Sequence, residues 1–102
     1  MRTNDQSKCL HRQLWEWLAK NPDMTVGQWP GWKAMIERGE GWPANMSFAC
    51  EVAMRTCPIC PVDWGKKGYR CFDPGSLLDE YANARQDLKS FYAWQIRDAW
   101  KR

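Results

Sequence analysis

The chain is poor both in the residues that build sheets and in those that run acid and base chemistry. Valine and isoleucine together number six in 102 residues, against eight tryptophans. That balance withholds the β-branched side chains that strands prefer and points to helices packed through aromatic rings. Little or no sheet is expected. There is one histidine, His11, and no glycine-rich phosphate loop. No pair of carboxylates is placed by a recognisable motif, so no general acid and base can be named and the chain is not expected to be an enzyme. No stretch approaches the roughly 18 apolar residues of a membrane span, and the opening residues 1–8 lack the apolar run of a signal peptide. A cytoplasmic protein with no membrane partner is expected.

Charge of one sign is also scarce. The formal net charge is +3, and acidic residues are interspersed among the basic ones. The electrostatic footprint of a dedicated nucleic-acid binder is therefore weak, and the balance also argues against an acidic mimic of DNA. A chain of 102 residues is read as one domain spanning 1–102, with a radius near 13 Å and a core that is adequate without being generous.

Apolar periodicity places four helices. Leu10, Leu14, Trp17 and Leu18 recur on one helical face and Asn21-Pro22 supplies a stop, giving a first helix over about residues 7 to 20. Trp15 points well away from that stripe, so it lies either under another element or exposed for a partner. Pro30 and Gly39 bracket a short second helix over roughly 30 to 38. After the loop 39–43, Asn45 or Ser47 can cap a third helix through about Met54, which Cys57-Pro58 ends. Ser76 then caps a long last helix that should run close to the C-terminus, with Asp79 where a carboxylate favours a helix start. Its predicted core stripe is Leu77, Tyr81, Ala84, Leu88, Phe91, Tyr92 and Ala99, with Gln95 among them. The expected architecture is a small all-α bundle of three to four helices.

Between the third and last helices lies the part of the sequence richest in chemistry. Four of the five cysteines are spaced Cys50-x6-Cys57-x2-Cys60-x10-Cys71. In a reducing cytoplasm a disulfide framework is not expected, and five cysteines cannot all pair. A two-residue gap lets one tight turn present two thiolates to one ion at about 2.3 Å, as structural zinc knuckles do. Four thiolates would close a tetrahedral site with no position open for water, so the zinc would be structural. It would tie the proline- and glycine-rich chain 61–75 to the end of the third helix, a contribution of up to about 10 kcal/mol. Other uses are four small buried side chains, or a redox pair, which would need flanks that this sequence does not supply.

Geometry makes the metal reading testable. An unbroken helix from Cys50 to Cys57 would set them about 10 Å apart along its axis, whereas two thiolates on one zinc lie no more than about 4.6 Å apart. Either the third helix ends early, or Cys50 is not a ligand and His11 or Cys9 takes its place. Those two cannot easily serve together, because residues at i and i+2 face different ways. Otherwise His11 is an isolated surface or edge histidine.

Two further groups are candidates for contact with a partner. Lys66, Lys67 and Arg70 form a basic loop with Tyr69 inside the cysteine-bounded segment and could grip phosphate. A solvated loop is the simpler alternative. Trp94 and Trp100 flank the predicted apolar face of the last helix and Trp15 leaves that of the first; tryptophan and arginine dominate binding hot spots between proteins, although some of these rings are expected in the core, because a small helical protein must cover its elements with few aliphatics.

The run Leu14-Trp15-Glu16-Trp17-Leu18-Ala19-Lys20-Asn21-Pro22, then Trp29-Pro30-x-Trp32, Phe48-Ala49-Cys50-Glu51 and Cys57-Pro58-x-Cys60-Pro61-x-x-Trp64, resembles small cysteine-rich proteins encoded by phages and prophages of Gram-positive bacteria. The resemblance covers most of the chain through short motifs, and it is similar in kind to that of metal-containing type II anti-CRISPR proteins. It implies Cys50, Cys57, Cys60 and Cys71 as zinc ligands, and an origin on a mobile element. It also implies a site of action in the cytoplasm of a bacterial host, on a host protein such as a CRISPR effector nuclease. The expected function is thus stoichiometric inhibition of a host defence protein. The alternative is a small zinc-containing nucleic-acid binder or transcriptional regulator using Lys66, Lys67, Arg70 and the last helix. A zinc-held scaffold within a phage assembly is a third.

Overall fold

In the computed structural model, the residues described are 3–41, 48–53, 60–65 and 73–100. Helix α1 spans Asn4–Lys20. It begins three residues before the expected start because Thr3 and Gln6 form a reciprocal capping box that satisfies two backbone donors of the first turn. Its end is as expected, with the Asn21 side chain donating back to the Trp17 carbonyl. A 3-10 turn, Val26–Gln28, leads through Trp29 and Pro30 into α2, Gly31–Glu37. Glycine is required at position 31, since the six-membered ring of Trp29 lies where a Cβ would stand. Gly39, at φ 77°, ends that helix in the left-handed conformation glycine favours. Helix α3, Phe48–Val52, is short, and its expected caps Asn45 and Ser47 lie outside the described residues.

The expected long last helix is two helices, α4 (Leu77–Asn83) and α5 (Gln86–Asp98). Ser76 caps α4 as expected, its hydroxyl accepting from the Asp79 N–H, while the Asp79 carboxylate accepts from the Gly75 N–H. The helix stops at Ala84 and Arg85, both extended (ψ 149° and 157°). No proline or glycine causes the break. Asn83 turns its amide back onto the Asp79 carbonyl and carboxylate, a local side-chain bond of the kind that competes with helix continuation. Of the predicted stripe, Tyr81 and Ala99 are buried, but Leu88 and Phe91 are exposed by 43% and 56%. The buried row of α5 is Ala93 and Ile96, continued by Trp100, rotated by roughly a third of a turn from the predicted one.

Helices α1 and α5 run antiparallel and form the main contact, with α3 against α1 and α4 against α5. Three cross-links fix the α1–α5 register: Ser90 Oγ donates to the Ala19 carbonyl at 2.6 Å, His11 Nε2 bonds the Ile96 carbonyl at 2.8 Å, and Arg97 reaches Glu16 at 3.4 Å. Trp15, Trp29, Trp32, Trp64 and Trp100 are buried and fill the interior in place of aliphatic residues. Trp29 meets Trp32 edge-on with ring centres 5.1 Å apart, and Trp32 stacks on Phe48 at 5.6 Å. On the other side of the core Trp15 meets Tyr81 edge-on at 5.1 Å, and His11 meets Trp100 at 5.2 Å. Among the described residues there is no strand, as expected, and one isolated antiparallel bridge joins Val62 to Trp100. The Cα radius of gyration is 13.0 Å.

Candidate functional site

Segment 60–65 carries the chain from the cysteine cluster into the bundle. Pro61, Val62 and Trp64 are buried. The Asp63 N–H donates to the Ala99 carbonyl at 2.8 Å, and the Trp64 carbonyl accepts from the Leu77 N–H at 2.9 Å. The segment therefore pins the end of α5 to the start of α4. Cys60, at its head, is half-buried against the core, and Cys50 on α3 is half-buried as well. Helix α3 ends at Val52 and Ala53 is a turn residue; the path from there to Cys57 lies outside the described residues. Cys57 and Cys71 lie outside the described residues, and among the described residues no three metal-binding side chains gather. Of the four cysteines whose thiols could serve as zinc donors, Cys50 and Cys60 are the two that lie among the described residues.

The two fallback ligands are placed apart. Cys9 is exposed and takes a hydrogen bond from Gln13 at 3.2 Å. His11 is not at the surface but buried, only 3% exposed, between α1 and α5. Because a carbonyl can only accept, its Nε2 carries the proton and donates to Ile96. Burial lowers its pKa from 6.5 to about 4; the Ile96 hydrogen bond opposes that shift and Arg12 adds to it. His11 is thereby committed to the interior. The signal for this was present: Ser7, His11, Leu14, Trp15 and Leu18 follow one another at helical spacing, and all five are buried. Two polar members disguised the row.

The same row corrects the reading of Trp15, which is 6% exposed and part of the core, as is Trp100 at 2%. Neither is available as a surface anchor. Trp94 is half-buried on α5, with the Arg97 guanidinium 4.5 Å above its ring. Lys66, Lys67 and Arg70 fall outside the described residues. The other basic groups of the last two helices are engaged within the molecule. Arg85 pairs with Asp87, Arg97 with Asp98 and Glu16, and the Lys89 amine lies 4.8 Å from the centre of the Tyr81 ring.

A surface that the sequence pattern missed lies beside Trp94. An open groove of about 490 Å³ runs between segment 60–65 and the outer side of α5, lined by Leu77, Phe91, Trp94 and Gln95, with Asp63 and Asp98 at its edge. Gln95, which periodicity placed in the core stripe, is half-buried along this groove.

Fold and site together define a small all-α protein whose helices are packed by tryptophan and which holds an aromatic groove open on its last helix. No protein family, characterised protein or solved structure matches the chain.

Proposed function

We propose that this chain is a zinc-stabilised binding protein of phage or prophage origin that inhibits a host defence protein by stoichiometric occupation of its surface. The expected target is a type II CRISPR effector nuclease. The observation that carries the binding reading is Phe91, more than half exposed and beside Trp94, on a helix whose far side is fixed to α1. Large apolar rings held open on a rigid element are the composition of interface hot spots. The half-buried thiols of Cys50 and Cys60 support zinc as the staple, with Cys57 and Cys71 completing the set.

The nucleic-acid reading has less behind it, since Arg85 and Arg97 are paired with carboxylates. The test is a titration of an effector nuclease loaded with guide RNA. Capture in a pull-down at one chain per nuclease, with target cleavage lost at that ratio, is the expected result. A nuclease neither captured nor inhibited removes the target assignment. A steep fall of DNA or RNA affinity with salt would favour the regulator instead.

A further inference from the structure

We infer that the groove between α5 and segment 60–65 binds an arginine- or lysine-bearing apolar segment of a protein partner. The inference rests on the reading of the chain as a binding protein and supplies the chemistry of the surface it would recognise.

The groove has an apolar floor and an acidic edge. Phe91 and Leu77 supply hydrocarbon, Trp94 supplies an indole, and the charged side chains lining it among the described residues are the carboxylates of Asp63 and Asp98. The Arg97 guanidinium, paired with Asp98 and lying over the Trp94 ring, offsets one of these two charges, so among the described residues the lining keeps a net negative charge through Asp63 in a chain of net charge +3. Asp63 is exposed and held by an Asx turn in which its carboxylate accepts from the Gly65 N–H at 3.1 Å. Asp98 is exposed and one oxygen accepts from Arg97 at 2.9 Å. A partner side chain with a long apolar stem and a cationic head would lay its stem on Phe91 and Leu77 and bring its head to the carboxylates. An arginine head would also find an aromatic face of the kind that Arg97 already covers on Trp94.

The backbone around the groove is fixed. The bonds from Asp63 to Ala99 and from Leu77 to Trp64 hold its two walls together, so binding need not order them first. A basic partner surface is also the kind that loads nucleic acid, which would make occupation of this groove competitive with a nucleic-acid ligand.

The test is an NMR titration of the full-length chain with two synthetic amphipathic peptides of equal length. One alternates leucine with arginine and the other leucine with glutamate; a single-stranded DNA oligonucleotide is the third probe. The expected result is saturable shifts at Phe91, the Trp94 indole N–H, Asp63 and Asp98 with the arginine peptide alone. Affinity should fall about tenfold in Phe91→Ala and about tenfold at low salt in the double variant Asp63→Asn, Asp98→Asn. Both variants should keep the native melting temperature. Preference for the glutamate peptide or the DNA, shifts that centre elsewhere, or arginine-peptide affinity unchanged in the double variant would each overturn the inference. The nuclease titration fails or succeeds separately. Peptide binding without nuclease capture leaves the groove and removes the target, whereas capture that survives Phe91→Ala and the double variant leaves the function and removes the groove.

Discussion

Acid should destabilise this protein through one side chain. His11 is buried against Trp15 and Trp100 with its Nε2 donating to the Ile96 carbonyl, and it takes up a proton only at about pH 4, against 6.5 ordinarily. Between these values the unfolded chain binds a proton that the folded chain does not, so folding stability falls as the pH is lowered across that window. Above pH 6.5 neither state is protonated at His11, and below about pH 4 both are, so its contribution is flat on either side. At about 1.4 kcal/mol for each tenfold displacement of a protonation equilibrium, the loss is about 3 kcal/mol. That is a large share of the 5 to 15 kcal/mol expected for a domain. Urea unfolding at a series of pH values, for the native chain and for His11→Gln, isolates the effect. Glutamine keeps a donor near the position of Nε2 and cannot titrate. Relative to the variant, the native chain should lose about 2 M in its urea midpoint between pH 7 and pH 4 at the slope usual for a small domain. Parallel losses in the two proteins would show that the imidazole is not held neutral in the interior, and the account of the α1–α5 seam would be wrong.

Three further perturbations bear on separate parts of the structure. The Tyr81 hydroxyl is buried with no hydrogen-bond partner among the described residues, so Tyr81→Phe should leave thermal stability unchanged or raise it by up to about 1 kcal/mol; a loss of that size would mean the hydroxyl is bonded. Ser76→Ala removes the cap of α4 and should cost about 1 kcal/mol, read as a melting temperature lower by about 4 to 8 °C. In protein purified without added metal, elemental mass spectrometry should find about one zinc per chain, and none, with loss of helical signal, when Cys57 and Cys60 are both changed to serine. No metal in the native chain would make the cysteines core or redox residues.

Much of the fold was legible because helix boundaries are written in local chemistry. The Ser76 cap, the Asn21-Pro22 stop and Gly39 all mark ends that the structure keeps. What escaped was the phase of each buried face. In α1 the interior row runs through Ser7 and His11, and in α5 Ala93, Ile96 and Trp100 are joined at helical spacing by Lys89, which covers Tyr81 with its amine. A search for apolar side chains alone skips such members and settles on neighbours instead, which is how Leu88 and Phe91 came to be placed inside and Trp15 and Trp100 outside. The break at Ala84–Arg85 carried no proline or glycine to announce it, and it resets the phase of everything after it. The groove depends on a tertiary contact between residues 60–65 and the end of α5, which no local pattern records. Of the cysteine cluster, α3 ends at Val52, and the path from there to Cys57 lies outside the described residues.

The edge-on contact of Trp29 and Trp32 has a spectroscopic consequence. Two indoles with centres 5.1 Å apart and planes at 87° are close enough for their strong ultraviolet transitions to couple, producing paired bands of opposite sign that overlap the helical region of the circular dichroism spectrum. The apparent helix content of this protein would then contain an aromatic contribution that reports whether α2 is docked. Replacing Trp32 with phenylalanine would subtract that contribution while retaining an aromatic ring against Phe48, turning an optical nuisance into a local reporter of packing in a molecule with too many tryptophans for ordinary fluorescence to resolve.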